Sequence, residues 1–171
     1  AKVMYINLER SKDSLKRRLG CVNTALGLDP GSPLLMYNSR GRSLASVLPV
    51  ARRTVEKMGV ELVILDSISR AGVGDLNENQ PTNDTMDQLN EMCPSWVGIG
   101  HTGHSDKTRM FGSQFWMAGA DVGVKLQAEQ RENELGVRLE VTKGNDFSPP
   151  APMVLRYIFD EFGLSRVEPA K

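Results

Sequence analysis

Leu62-Val63-Ile64-Leu65-Asp66 is followed directly by Ser67-Ile68-Ser69-Arg70. Four apolar residues run straight into a carboxylate and then into small polar residues. A continuous apolar run of this length suits a strand buried on both faces, as in a parallel sheet. Ligands of open α/β sheets bind outside the carboxyl ends of the strands. Asp66 stands at such an end, where a carboxylate can hold a hydrated Mg²⁺ beside phosphate groups.

Outward from this strand the chain alternates. Val3 to Leu8 reads as a strand that ends at Glu9. Ser11 offers an N-cap to a helix carrying Leu15, Leu19, Val22 and Leu26, with Lys16, Arg17 and Arg18 on the other face and Gly27 at its end. Asp29-Pro30-Gly31 makes a turn, and Leu34 to Tyr37 a second short strand. A second amphipathic helix carries Leu44, Val47, Leu48, Ala51, Val55 and Met58; Pro49 costs it least if it begins near Ser46, and Gly59 closes it. After the Asp66 strand, Gly72 to Asn83 reads as a polar loop, and Asn83 caps a short helix with Met86, Leu89 and Met92. Trp96 to Gly100 is another buried strand, ending at His101-Thr102. The polar segment from Gly103 to Gly112 precedes a short helix around Phe115 to Ala118. Val122 to Leu126 and Val137 to Val141 read as strands, with Gln127 to Glu134 as their connection. Met153 to Phe159 is a last strand, with a tight turn near Gly163. Strand–helix alternation followed by antiparallel strands predicts an α/β fold with a mostly parallel sheet, and one domain over residues 1–171 is the simplest organisation.

Composition narrows the function classes. Lys plus Arg equals Asp plus Glu at 21 each, so a strong nonspecific grip on nucleic acid by the chain as a whole is not expected, although a local basic path is compatible with it. No apolar run approaches a membrane span, and no secretory signal opens the chain, so a cytoplasmic location without membrane attachment is expected. Cys21 and Cys93 lack metal spacing and are expected to be buried, reduced thiols. The first strand begins almost at the first residue, as it would in a fragment of a longer domain.

Three strand ends carry polar groups: Glu9, Asp66, and His101 with Thr102. In a parallel sheet these ends share one edge. The combination suits nucleotide hydrolysis, with Asp66 organising a metal ion, Glu9 orienting or deprotonating the attacking water, and His101 or Thr102 sensing the terminal phosphate. Plainer readings exist. Glu9 is also favourable at a helix start through the helix dipole, and Asp66 can merely cap a turn. His101 and His104 make an H-x-x-H pair, but zinc needs a third or fourth ligand that the sequence does not offer nearby.

The chain resembles the RecA-like P-loop ATPases, most closely their RepA and DnaB-like hexameric helicase branch. Val3 to Glu9, with Leu15 and Arg17-Arg18-Leu19, is similar to the segment that carries the family's catalytic glutamate. Leu62 to Arg70 resembles its Walker B strand, and Gly74 to Asn79 the acidic, Asn-rich loop that follows. Gly100-His101-Thr102-Gly103 is similar to the sensor motif. Gly112-Ser113-Gln114 with Ala118-Gly119-Ala120-Asp121 resembles the segment behind the mobile loop, and Val141 to Asn145 the late strand end whose basic residue reaches a neighbouring subunit. Two departures stand out. No G-x-x-x-x-G-K-[ST] occurs in these residues, and Phe111 stands before Gly112 where the family often has an arginine finger, with Lys107 and Arg109 close by.

The resemblance implies a three-layer αβα RecA-like core that hydrolyses ATP with Mg²⁺, assembles as a homo-oligomer (a ring hexamer in the intact protein) and acts on DNA. It implies catalytic roles for Glu9, Asp66 and His101, and nucleotide-binding roles for Ser67, Thr102, Lys143 and Arg109, with Asp66 holding Mg²⁺ through water. The Walker A segment is expected outside these residues, which by themselves are expected to show little ATP turnover. A truncated or degenerate RecA-like module, serving as a binding or oligomerisation domain without chemistry, is the competing reading.

Overall fold

The computed structural model describes residues 1–72, 75, 77–103 and 110–170. Its contacts divide the chain into two compact units, one of Ala1–Lys12 with Pro33–Gly119 and one of Asp13–Ser32 with Ala120–Lys171. The fold is mixed α/β, with one parallel and one antiparallel four-stranded sheet. No helix among the described residues is long and apolar enough to cross a membrane.

The first unit is built on β1 (Val3–Asn7), β2 (Leu35–Asn38), β3 (Leu62–Asp66) and β4 (Trp96–Ile99), all parallel in the order β2-β1-β3-β4. The register sets Asn7 beside both Asn38 and Asp66. Strand side chains alternate between faces, so Tyr5, Asn7, Ile64 and Asp66 share one face while Met4, Ile6, Val63 and Leu65 share the other. The second set is almost fully buried, in one core with Val47, Ala51 and Val55 of helix α2 (Leu44–Met58) and Met86, Leu89 and Met92 of helix α3 (Asn79–Met92). Ile6, Leu65 and Leu89 are each completely inaccessible, and burial of such a side chain contributes about 1.5–3 kcal/mol.

Helix α2 begins two residues before the position read from Pro49. Ser43 is its N-cap, with Oγ accepting from Ser46 N at 3.3 Å, and the Leu44 amide is tied to Ala71 O at 2.8 Å. Pro49 is therefore interior, and the helix keeps it because packing of the Val47, Ala51 and Val55 stripe outweighs one lost backbone bond. Gly59 closes the helix at φ 62°, a left-handed conformation that glycine adopts without steric cost. Helix α3 starts at Asn79, four residues ahead of the expected cap at Asn83. Pro81 falls in its first turn, where no amide hydrogen is needed. Thr82 and Thr85 are fully buried, with hydroxyls bonded to Glu78 O and Pro81 O four residues back, so two polar letters pack as apolar ones.

The second unit holds helix α1 (Lys12–Ala25) and the antiparallel meander β5 (Val122–Arg131), β6 (Glu134–Gly144), β7 (Met153–Asp160) and β8 (Gly163–Pro169); the remaining helix, α4 (Phe115–Gly119), belongs to the first unit. In α1, Leu15 and Asn23 are buried, Asn23 with bonds to Pro30 O and Ser32 O, whereas Val22, and Leu26 just past the helix end, are exposed. The β5–β6 connection is a two-residue turn at Glu132 and Asn133, far tighter than the expected Gln127–Glu134 link, because the strands continue through polar residues that periodicity does not mark. The chain also makes one strand more than expected, β8, which pairs along β7. Cys93 is buried as expected, but Cys21 is only half-buried; both are free thiols.

Candidate functional site

The strand order fixes where a ligand can enter the first unit. From β1 the chain moves to β2 on one side, and from β3 to β4 on the other. The topological switch therefore lies between β1 and β3, and open α/β sheets bind ligands in the crevice at that point. Glu9 follows β1 and Asp66 ends β3, so the two carboxylates flank the switch. They are tied by backbone as well, since Leu8 N donates to Asp66 O at 2.7 Å.

Glu9 is aimed by Asn7, a residue the sequence reading did not single out. Asn7 is completely buried. Its Oδ1 accepts from the amides of Glu9 and Arg10 at 3.3 and 2.9 Å. Its Nδ2 donates to Arg10 O at 2.7 Å and to Asn38 Oδ1. This side chain-to-backbone turn ends β1 and directs Glu9 away from the strand. The available signal was a lone amide in an otherwise apolar strand, two residues before the carboxylate.

His101 follows β4 and brings Nε2 to 3.6 Å from Glu9 Oε1, an ion pair whenever the imidazole carries its proton. His101 is mostly exposed, while the Glu9 side chain is about three-quarters covered. The backbone around His101 is pinned. Thr102 pairs with Met110 in an isolated antiparallel bridge, and Phe111 N donates to His101 O at 2.7 Å.

Asp66 is held from the other side. The Tyr5 hydroxyl donates to Asp66 Oδ2. Burial, and then this bond to a carboxylate, push the Tyr5 phenol well above its ordinary ionisation range, so it remains a donor. Tyr5 was also missed, since a tyrosine in a strand reads as packing. Ser67 is fully buried with Oγ 2.7 Å from Ser69 Oγ. The nearby donors of Asp66, Ser67, Ser69 and Glu9 are all oxygen, which suits Mg²⁺. No group of three His, Cys, Asp or Glu among the described residues forms a metal cage. Mg²⁺ is commonly held by one or two carboxylates together with waters and substrate phosphates.

The structure thus brings Glu9 and His101 into contact and sets Asp66 and Ser67 on the adjoining strand end. Thr102 is exposed beside His101. Lys143 lies in β6 of the second unit, where its Nζ donates to Ala120 O at 2.6 Å. Arg109, Lys107 and His104 lie outside the described residues, as do Gly74 and Leu76 of the acidic loop.

Comparison with known proteins adds one finding. A family model described as an AAA domain matches residues 1–107, more than half of the chain and every residue of the Glu9, Asp66 and His101 cluster. No curated protein matches the chain significantly.

Proposed function

The chain belongs to the AAA-domain family, which is P-loop ATPase-like, and from that premise we propose that its parallel-sheet unit is the motor part of a RecA-like ATPase of the RepA and DnaB-like helicase branch. One observation supports this reading: Glu9 and His101 come together, and Asp66 ends the strand between theirs, on the carboxyl edge of three neighbouring parallel strands. In this reading the unit is the sheet of a three-layer core, the protein assembles into a ring, and the work is done on DNA.

Each residue has a role that follows from its setting. Asn7 holds Glu9 at the end of β1, so its carboxylate can orient the attacking water and take up its proton. His101 faces that carboxylate and can register whether the terminal phosphate is present. Tyr5 is bonded to Oδ2 of Asp66, and this carboxylate would hold Mg²⁺ through water. Bound Mg²⁺ supplies neutralisation of charge on the phosphate oxygens. The resemblance assigns Ser67 and Thr102 to the nucleotide, although Ser67 is fully buried with its hydroxyl on Ser69, and Lys143 or Arg109 to a neighbouring subunit's site. The test is ATP turnover by the full protein. Glu9→Gln keeps the shape but cannot accept a proton, and turnover should fall by about 10²-fold or more. Unchanged turnover in Glu9→Gln would remove the catalytic assignment.

A second reading is favoured by one observation: no G-x-x-x-x-G-K-[ST] lies within residues 1–171. On that reading the unit binds partners and does no chemistry. Asp66→Asn and Glu9→Gln would then leave every activity of the full protein intact.

A further inference from the structure

A concavity opens on the same sheet edge, and apart from Glu9 the reaction described above uses none of the residues that line it. It is a cleft of about 460 Å³ between the ends of β1, β2 and β3. Three guanidinium groups line it: Arg40 and Arg42 from the β2–α2 loop, and Arg70 from the turn after β3. All three residues are exposed, and none forms a side-chain hydrogen bond or ion pair among the described residues. Among the described residues Glu9 is the single carboxylate in the wall, and it already faces His101. The chain has no net charge overall, yet this cleft gathers three positive charges against one negative.

The loops that carry the arginines are held in place. Ser39 N bonds to Asn7 O at 2.8 Å, Arg42 N to Ser39 O at 3.0 Å, and Arg70 N to Ser67 O at 3.0 Å. Leu44 N ties the first loop to Ala71 O of the second at 2.8 Å. At Gly72, φ is +75° and a Cβ would meet the Ser43 Cβ at 2.9 Å, so the loops approach as closely as glycine permits. Arginines that are unpaired among the described residues, on pinned loops, form an anion site, and the guanidinium fork matches phosphate oxygens. The Ser43 and Ser69 hydroxyls add neutral polar partners. Among the described residues the cleft wall has no aromatic ring for a base to stack on. Recognition is therefore of phosphate and not of base.

We propose that the Arg40, Arg42 and Arg70 cleft grips the phosphodiester backbone of a single nucleic-acid strand, without regard to sequence. The choice of a strand over a small phosphate rests on the DNA-acting reading above, whereas the anion site itself stands on the three arginines. Glu9 forms one wall of both the cleft and the switch-point site, so the strand lies next to the residue that orients the attacking water.

The test is binding of fluorescein-labelled oligothymidylate to the full protein by anisotropy, without nucleotide, across a fourfold range of salt. Three phosphate contacts on a single strand give a slope near −2 in log K against log salt, or about 20-fold weaker binding over that range. Arg40→Gln/Arg42→Gln/Arg70→Gln should lose most of that slope, and the corresponding triple lysine variant should keep it. Arg17→Gln/Arg18→Gln, on exposed helix α1, serves as the control for charge alone. Equal binding by wild type and the triple glutamine variant would overturn the proposal. So would failure of wild type to bind the strand, or displacement of the strand by pyrophosphate at a lower phosphate concentration than by unlabelled oligothymidylate. Strand binding is read without nucleotide and the catalytic reading is tested by ATP turnover, so failure of the catalytic reading and failure of the strand-grip reading are separable.

Discussion

The bond from Tyr5 to Asp66 can be measured directly, because both tryptophans, Trp96 and Trp116, lie in the unit that contains it. Denaturant unfolding followed by tryptophan fluorescence therefore reports on the parallel-sheet unit. Tyr5→Phe removes one hydroxyl and little else. Asp66 is only 9% exposed, so water replaces the lost donor poorly. Hydrogen bonds to charged groups contribute about 1.5–3 kcal/mol, and with Tyr5 itself only partly buried we expect a value near the lower end, about 1.5 kcal/mol. Asp66→Ala removes the acceptor. If the two groups act through their mutual bond, the double variant should be less destabilised than the two single losses added, by about 1.5 kcal/mol. The coupling also has a pH signature. The folded-state ionisation of Tyr5 is raised above the ordinary 10.0, so its contribution is complete below pH 10 and is lost as pH rises through the higher folded value. A coupling below about 0.5 kcal/mol at pH 7 would show that Asp66 is not anchored by Tyr5.

Two further outcomes test the framework of the site. Leu89 is completely buried in the core beneath the sheet, so Leu89→Ala should cost about 2–5 kcal/mol in the same unfolding assay. Asn7→Ala strips the Glu9 and Arg10 amides and Asn38 of their shared partner, and should cost about 2–3 kcal/mol. It should also lower turnover in the full protein, since Glu9 loses its support; stability loss without any change in turnover would show that Glu9 needs no such support.

The parallel half of the fold was legible because its signals are local. The Leu62–Asp66 strand was bounded to the residue, since a buried run has no competing period. Helix α3 begins five residues before the start that a cap at Asn83 implies, because Thr82 looks polar until its hydroxyl folds back on the helix. The antiparallel half was compressed because β5 and β6 continue through charged residues around Glu132 and Asn133, where pairing and not hydrophobicity sustains the strand. In the site, the strand-end positions of Glu9 and His101 could be read, but their contact depends on the strand order, which periodicity does not encode. Tyr5, Asn7 and the three cleft arginines were invisible for the same reason. Each acquires meaning only from a neighbour distant in sequence.

The bridge between Thr102 and Met110 has a consequence for how such a protein can change. It closes the two ends of the intervening segment onto each other, immediately beside His101. A closed base makes the length of what lies between nearly neutral, since doubling a loop costs only about 0.6 kcal/mol. Insertions and exchanges there need not disturb the sheet edge that carries Glu9 and Asp66. The bridge itself fastens Thr102 and Met110 beside the imidazole at the site, so the strand end keeps its place whatever the chain between them does.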